Sequence, residues 1–163
     1  MIEKTLILLK PDCIARGLIG EITSKFEKIG FKIIGMKMLW INDDFARKHY
    51  PQSIEDKYGE EIRNKIVNYI KEGPVIAIVL EGVNAVENVR KIVGETYPNE
   101  SLPGTIRGDF AHISKDYANE NQKNVYNLVH ASGDKEDAET EIKLWFSEEE
   151  LHDYPHSQDI YTK

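Results

Sequence analysis

Cysteine is nearly absent: Cys13 is the one occurrence in 163 residues, so the chain can close no internal disulfide and build no cysteine-rich metal cluster. That usage suits a reducing compartment, and a cytoplasmic protein is expected. Long apolar runs are scarce too. The opening stretch is cut at Lys10 and lacks the length and small-residue cleavage pattern of a signal peptide. Val75 to Leu80 is far too short to span a bilayer. Positive charge is in deficit, with 21 Lys and Arg against 28 Asp and Glu and a net charge of −7. Nucleic acids and anionic membranes reward the opposite balance, so neither is expected as a partner. An anionic small molecule stays open, because a few placed cations can dominate a pocket.

The familiar phosphate signatures are missing as well. The nearest approach to a P-loop, Gly30 to Lys37, has Met36 where the lysine belongs and enters a strand instead of opening a helix. Gly108-Asp109-Phe110 is not the protein-kinase Asp-Phe-Gly, and no His-Arg-Asp loop accompanies it.

What is present reads as an alternation of strands and helices. Thr5–Leu9 and Val75–Leu80 are short, continuous apolar runs suited to strands buried on both faces. Phe31–Ile41 reads as a further strand. Ile22, Phe26 and Ile29 recur at helical spacing before a stop at Gly30, and Ile62, Ile66 and Tyr69 or Ile70 do so within a helix over 60–71. Asn42 or Asp43 suits the cap of a helix ending near His49-Tyr50, and Asp134 the cap of one over 137–146. Pro51–Gly59 reads as a polar connection, Gly94–Gly108 as a long unperiodic loop, Phe110–Ile113 as a short strand and Lys115–Asn124 as an inserted loop. The order fits an α/β (α+β) chain with a ferredoxin-like βαββαβ antiparallel sheet, helices on one side, in one domain over residues 1–163.

Three groups could carry chemistry. His130 lies among small and polar residues in Asn127-Leu-Val-His130-Ala-Ser132. It suits a nucleophile whose second ring nitrogen is held by Ser132, Glu141 or a backbone carbonyl, or equally a hydrogen-bonded turn. Arg107, beside Gly104 and Gly108, suits bidentate phosphate contact or an ion pair with Asp109. Lys10 either points into a site at the end of its strand or merely terminates it. His49 and His112 read as structural or surface residues. His152 and His156 flank Asp153, but Pro155 spoils their helical presentation and a solvated tail is the simpler reading.

Together these segments resemble nucleoside diphosphate kinases. Leu9-Lys10-Pro11-Asp12, Arg16-Gly17-Leu18-Ile19-Gly20-Glu21-Ile22, His49-Tyr50, Gly73-Pro74-Val75, Glu81-Gly82, Arg90, Gly94-Glu95-Thr96, Pro103-Gly104-Thr105-Ile106-Arg107-Gly108-Asp109-Phe110 and Asn127-Leu-Val-His130-Ala-Ser132 occur in that family's order, over about Thr5 to Tyr154. The resemblance implies ping-pong transfer of a γ-phosphate through a phosphohistidine at His130, supported by Glu141. It implies that Lys10 and Asn127 contact the ribose 3′-hydroxyl, with Lys10 also near phosphate, and that Arg90, Thr96 and Arg107 hold phosphate oxygens. Tyr50 would touch the travelling phosphate. Magnesium would come with the nucleotide, the substrates would be nucleoside di- and triphosphates, and the assembly a homotetramer or homohexamer. The chain departs from the family pattern at Gly133, at the 115–124 insertion, and after Tyr50. There an aromatic that stacks on the base is replaced by a longer segment offering Tyr58 or Ile62.

Overall fold

The computed structural model describes residues 1–163, and its centre is a four-stranded sheet. In chain order the elements are β1 (Ile2–Leu9), α1 (Pro11–Ala15), α2 (Ile19–Lys28), β2 (Lys32–Leu39), α3 (Asp43–His49), α4 (Gln52–Tyr58), α5 (Glu60–Ile70), β3 (Val75–Val83) and α6 (Ala85–Val93). There follow α7 (Ile106–Phe110), α8 (Lys115–Glu120), β4 (Val129–Ala131), α9 (Lys135–Trp145) and α10 (Asp159–Thr162). The strand order is β2-β3-β1-β4, with every pairing antiparallel. This is the ferredoxin-like arrangement expected from the sequence.

The two apolar runs sit at the middle of the sheet because both of their faces are covered. Alternation sends Ile7, Leu9, Ile76, Ile78 and Leu80 to one side, against Ile22 and Phe26 of α2 and Val89 and Val93 of α6. It sends Leu6, Leu8, Val75, Ala77 and Val79 to the other, against Ala46, Val67, Ile70, Ile142 and Trp145. Helices therefore pack on both faces, not on one side as expected. The inserted α3–α5 segment and α9 supply the second layer that the minimal pattern omits.

Local chemistry accounts for other departures. Pro11 does not simply end β1 but opens α1, where its missing N–H costs nothing. Ile29 is exposed because α2 closes at Lys28. The supposed connection after Pro51 is helical, and Arg63 ties it down through Gln52, Glu55 and the Tyr50 carbonyl. Phe110–Ile113 is not a strand: Thr105 accepts from Gly108 N–H and starts α7, which takes in Phe110. The place beside β1 belongs instead to Val129–Ala131, so His130 lies in a strand. The 115–124 insertion contains α8, capped by Ser114 and anchored by buried Ala118. No helix is long and apolar enough to cross a membrane.

Asp134 caps α9 as expected, its carboxylate accepting from Asp137 N–H at 2.9 Å. The extra Gly133 is accommodated without loss of the cap. Asp134→Ala should lower unfolding stability by about 1 kcal/mol in urea titrations; an unchanged midpoint would mean that α9 is held by packing alone.

Candidate active site

His130 reaches its position through β4. It pairs opposite Leu8, so its ring shares the face of β1 that looks toward α3 and α9. There Nε2 lies 2.9 Å from Glu141 Oε1, while Glu141 Oε2 accepts from Ser132 Oγ at 2.6 Å. Ser132 is itself fixed, because its Oγ also accepts from Leu6 N–H at 3.2 Å. An ionised carboxylate can only accept, so the tautomer that this contact selects for the neutral ring has its proton on Nε2 and its lone pair on Nδ1. Burial acts to raise the pKa of Glu141, but the adjacent His130 ring and the two hydrogen bonds outweigh it and hold the carboxyl below its ordinary value.

Of the two alternatives for His49, the structure gives the structural one: the side chain is buried beside His130. From α3 its ring meets that of His130 edge-on, with centroids 4.6 Å apart. Trp145 Nε1–H donates to its Nδ1 at 3.2 Å. Burial, aided by His130, pushes its pKa down to about 3, so the wedge behind His130 is neutral. It can press on the nucleophile candidate without adding charge.

The phosphate candidates converge. Tyr50, Arg90, Thr96, His130 and Glu141 line one cleft of about 770 Å³, with Tyr58 and Ile62 on its outer wall. Lys10, Arg107 and Asn127 are almost wholly buried. Asn127 is tied to the cleft lining through its Nδ2, which donates to the Thr96 carbonyl at 2.8 Å, and Lys10 Nζ donates to Asn127 Oδ1 at 2.8 Å. Burial drives the Tyr50 phenol pKa upward, so it stays a neutral donor. Burial, together with the nearby Arg107, brings Lys10 down to about 7, with Asp12 opposing.

Arg107 does not pair with Asp109, whose carboxylate is taken by Lys25 and Gly104 N–H. Its guanidinium donates to the carbonyls of Gly94, Glu95, Asn127 and Val129 at 2.6–3.1 Å. One side chain thus binds the long loop to the segment bearing His130. Gly108 makes this possible: a Cβ there would fall 2.1 Å from the Leu102 carbonyl oxygen. Lys48 and Lys115 also line the cleft, and nothing in their local sequence marked them. His112 and His152 are exposed, and His156 only approaches Asp159, so the tail histidines do not gather with Asp153 into a metal site.

An imidazole braced by a carboxylate, beside a cleft furnished with arginine, lysine and hydroxyl donors, describes an enzyme that handles an anionic substrate. The sequence matches the family model described as nucleoside diphosphate kinase over residues 3–151. A nucleoside diphosphate kinase of Pyrococcus abyssi is 48% identical over 161 residues, covering 99% of this chain and 94% of the relative. Another from Borreliella burgdorferi is 42% identical, covering 94% and 93%. Among solved structures, a transition-state mimic of the Borrelia burgdorferi enzyme with bound vanadate and ADP matches with a TM-score of 0.96 at 40% identity, covering 99% of this chain and 96% of that one. A halophilic enzyme from Halobacterium salinarum in complex with CDP matches with a TM-score of 0.85 at 33% identity, covering 99% and 98%. The chain belongs to the nucleoside diphosphate kinase family.

A buried lysine that titrates near neutrality should gain a proton when an anion arrives beside it. Calorimetry of ADP binding at pH 8, in buffers of different ionisation enthalpy, should register net proton uptake that fades toward pH 6. Uptake that is absent at both values would mean that Lys10 is not near the bound phosphates.

Proposed function

We propose that this protein transfers the γ-phosphate of a nucleoside triphosphate to a nucleoside diphosphate by a ping-pong mechanism through a phosphohistidine at His130. The observation that carries the reading is the His130–Glu141 pair. With its proton held on Nε2 by the carboxylate, the neutral ring leaves its Nδ1 lone pair free to attack. Nδ1 attacks the γ-phosphorus, the bond to the β–γ bridging oxygen breaks, and the diphosphate leaves with that electron pair. The imidazolium formed keeps its N–H on Glu141, whose negative charge balances it. A second diphosphate enters, its terminal β-oxygen attacks the phosphorus, and the P–N electrons return to Nδ1.

Such a transfer needs positioning and charge stabilisation more than covalent help from the protein. In this reading Arg90, Thr96 and Arg107 hold phosphate oxygens, and Tyr50 meets the travelling group. Lys10 and Asn127 take the ribose 3′-hydroxyl, with Lys10 also near phosphate, and Tyr58 or Ile62 covers the base. ADP and CDP in the two solved relatives support nucleotide as the ligand class.

Magnesium, delivered with the nucleotide, would supply positive charge that offsets the charge of the phosphates. The residues of this cleft fit an ion delivered on the substrate. The grouped potential ligands are His49, His130 and Glu141, and these are engaged by Trp145, by each other and by Ser132.

The reading extends to residues 1–163 acting as one catalytic domain in the cytoplasm, with the lone thiol of Cys13 buried. It includes a homotetramer or homohexamer. Exposed Met36, Met38 and Trp40 along the edge strand β2 and the residue after it support assembly.

Brief incubation with γ-labelled ATP and magnesium should label the protein through an acid-labile, base-stable bond, and GDP should then remove the label as GTP. His130→Ala should take no label while unfolding at the wild-type temperature. Label retained in that variant would place the phosphate elsewhere.

A further inference from the structure

Behind the cleft, α1 and α5 carry two side chains that touch neither His130 nor the cleft surface, yet both grip the segment that presents Asn127. Asp12 Oδ1 accepts from Tyr69 Oη at 2.7 Å, and Asp12 Oδ2 accepts from Leu128 N–H at 3.1 Å. Tyr69 Oη in turn accepts from Asn127 N–H at 3.2 Å. The pair therefore captures the N–H groups of two consecutive residues. Leu128 needs that support, because its φ of 69° lies in the left-handed region that a leucine disfavours. Its carbonyl is held too, by Lys10 N–H at 2.8 Å. Tyr69 also packs against the lysine head: Lys10 Nζ lies 4.6 Å from the centroid of the Tyr69 ring.

We propose that Asp12 and Tyr69 form a positioning pair that locks the Asn127–Leu128 turn against Lys10 and supplies the counter-charge for the Lys10 ammonium. The pair acts through Lys10 and Asn127, so the inference rests on the reading that these two bind the nucleotide.

Other groups facing Lys10 do not replace it. Arg107 of α7 repels the ammonium, and His49 of α3 is uncharged. Tyr50 and Tyr126, next to Tyr69, remain neutral phenols because burial pushes their pKa upward. Asp12 is the neighbouring group that raises the lysine's pKa against burial and Arg107. Removing the carboxylate charge should let the Lys10 midpoint fall further. Because the protonated lysine is the binding form, the alkaline limb of nucleotide binding should move to lower pH with it.

The test is the titration of Lys10 Nζ, followed by NMR in protein with labelled lysines, assigned by Lys10→Met, in wild type, Asp12→Asn and Tyr69→Phe. The Lys10 midpoint should drop by about one pH unit or more in Asp12→Asn. It should drop by less in Tyr69→Phe, which keeps the charge but frees the carboxylate. In the transfer assay KM for ADP should rise about tenfold in Asp12→Asn with a smaller change in kcat, as expected for loss of a ground-state contact. A residue that only stabilised the fold would lower the unfolding temperature and leave the lysine midpoint in place; that result, in both variants, would overturn the proposal. Tyr69→Phe provides the titration should Asp12→Asn not fold. Failure of the wild-type protein to transfer phosphate would overturn the functional reading instead, and the lysine titration would still decide the positioning pair.

Discussion

The hydrogen bond between His130 Nε2 and Glu141 is the interaction on which the site depends. It selects the tautomer of the neutral ring, leaves one nitrogen free, and in the proposed transfer would keep a negative charge where the ring becomes positive. Much of the fold can be understood as holding those two groups in register. His130 is fixed by pairing across from Leu8 at the sheet edge, Glu141 by a helix capped at Asp134 and packed through Ile142 and Trp145. Ser132, one hydroxyl, connects the carboxylate to the backbone of β1.

Around this pair the molecule accepts costs that binding offsets. Lys10 and Arg107 are nearly buried cations, and neither forms a direct ion pair. Burial disfavours each charge and lowers both pKa values, Lys10 to about 7 and Arg107 to about 10. For Lys10 the folded value lies below the unfolded one, so its stability contribution is complete above about 10.5 and is lost as pH falls through about 7. The free protein is thus least comfortable in the protonation state that suits an anion, and a phosphate bound as proposed would relieve that discomfort. The tension between stability and activity that is common in active sites takes this particular form here.

The central strands, the α2, α3, α5 and α9 segments and the sheet class were legible in the sequence because each depends on a local signal: a β-branched run, a helical period or a cap residue. The segments read wrongly are those where tertiary contacts outvote local composition. Residues 110–113 look like a strand, but Thr105 draws Phe110 into a helix and Val129–Ala131 takes the sheet edge. Residues 52–58 look like a polar loop, but Arg63 binds them into a helix. At the site, the family segments marked His130, Lys10, Arg90, Arg107 and Asn127. The closeness of His49 to His130, the Asp12–Tyr69 grip and the cations Lys48 and Lys115 are long-range juxtapositions that no spacing along the chain encodes.

If Glu141 holds the proton on Nε2, the phosphate must be carried on Nδ1. Nitrogen–phosphorus couplings in the NMR spectrum of the isotope-labelled, phosphorylated protein at alkaline pH measure this directly. Phosphorus should couple to Nδ1 of His130, with Nε2 still protonated. Coupling to Nε2, or to another residue, would refute the role given to Glu141.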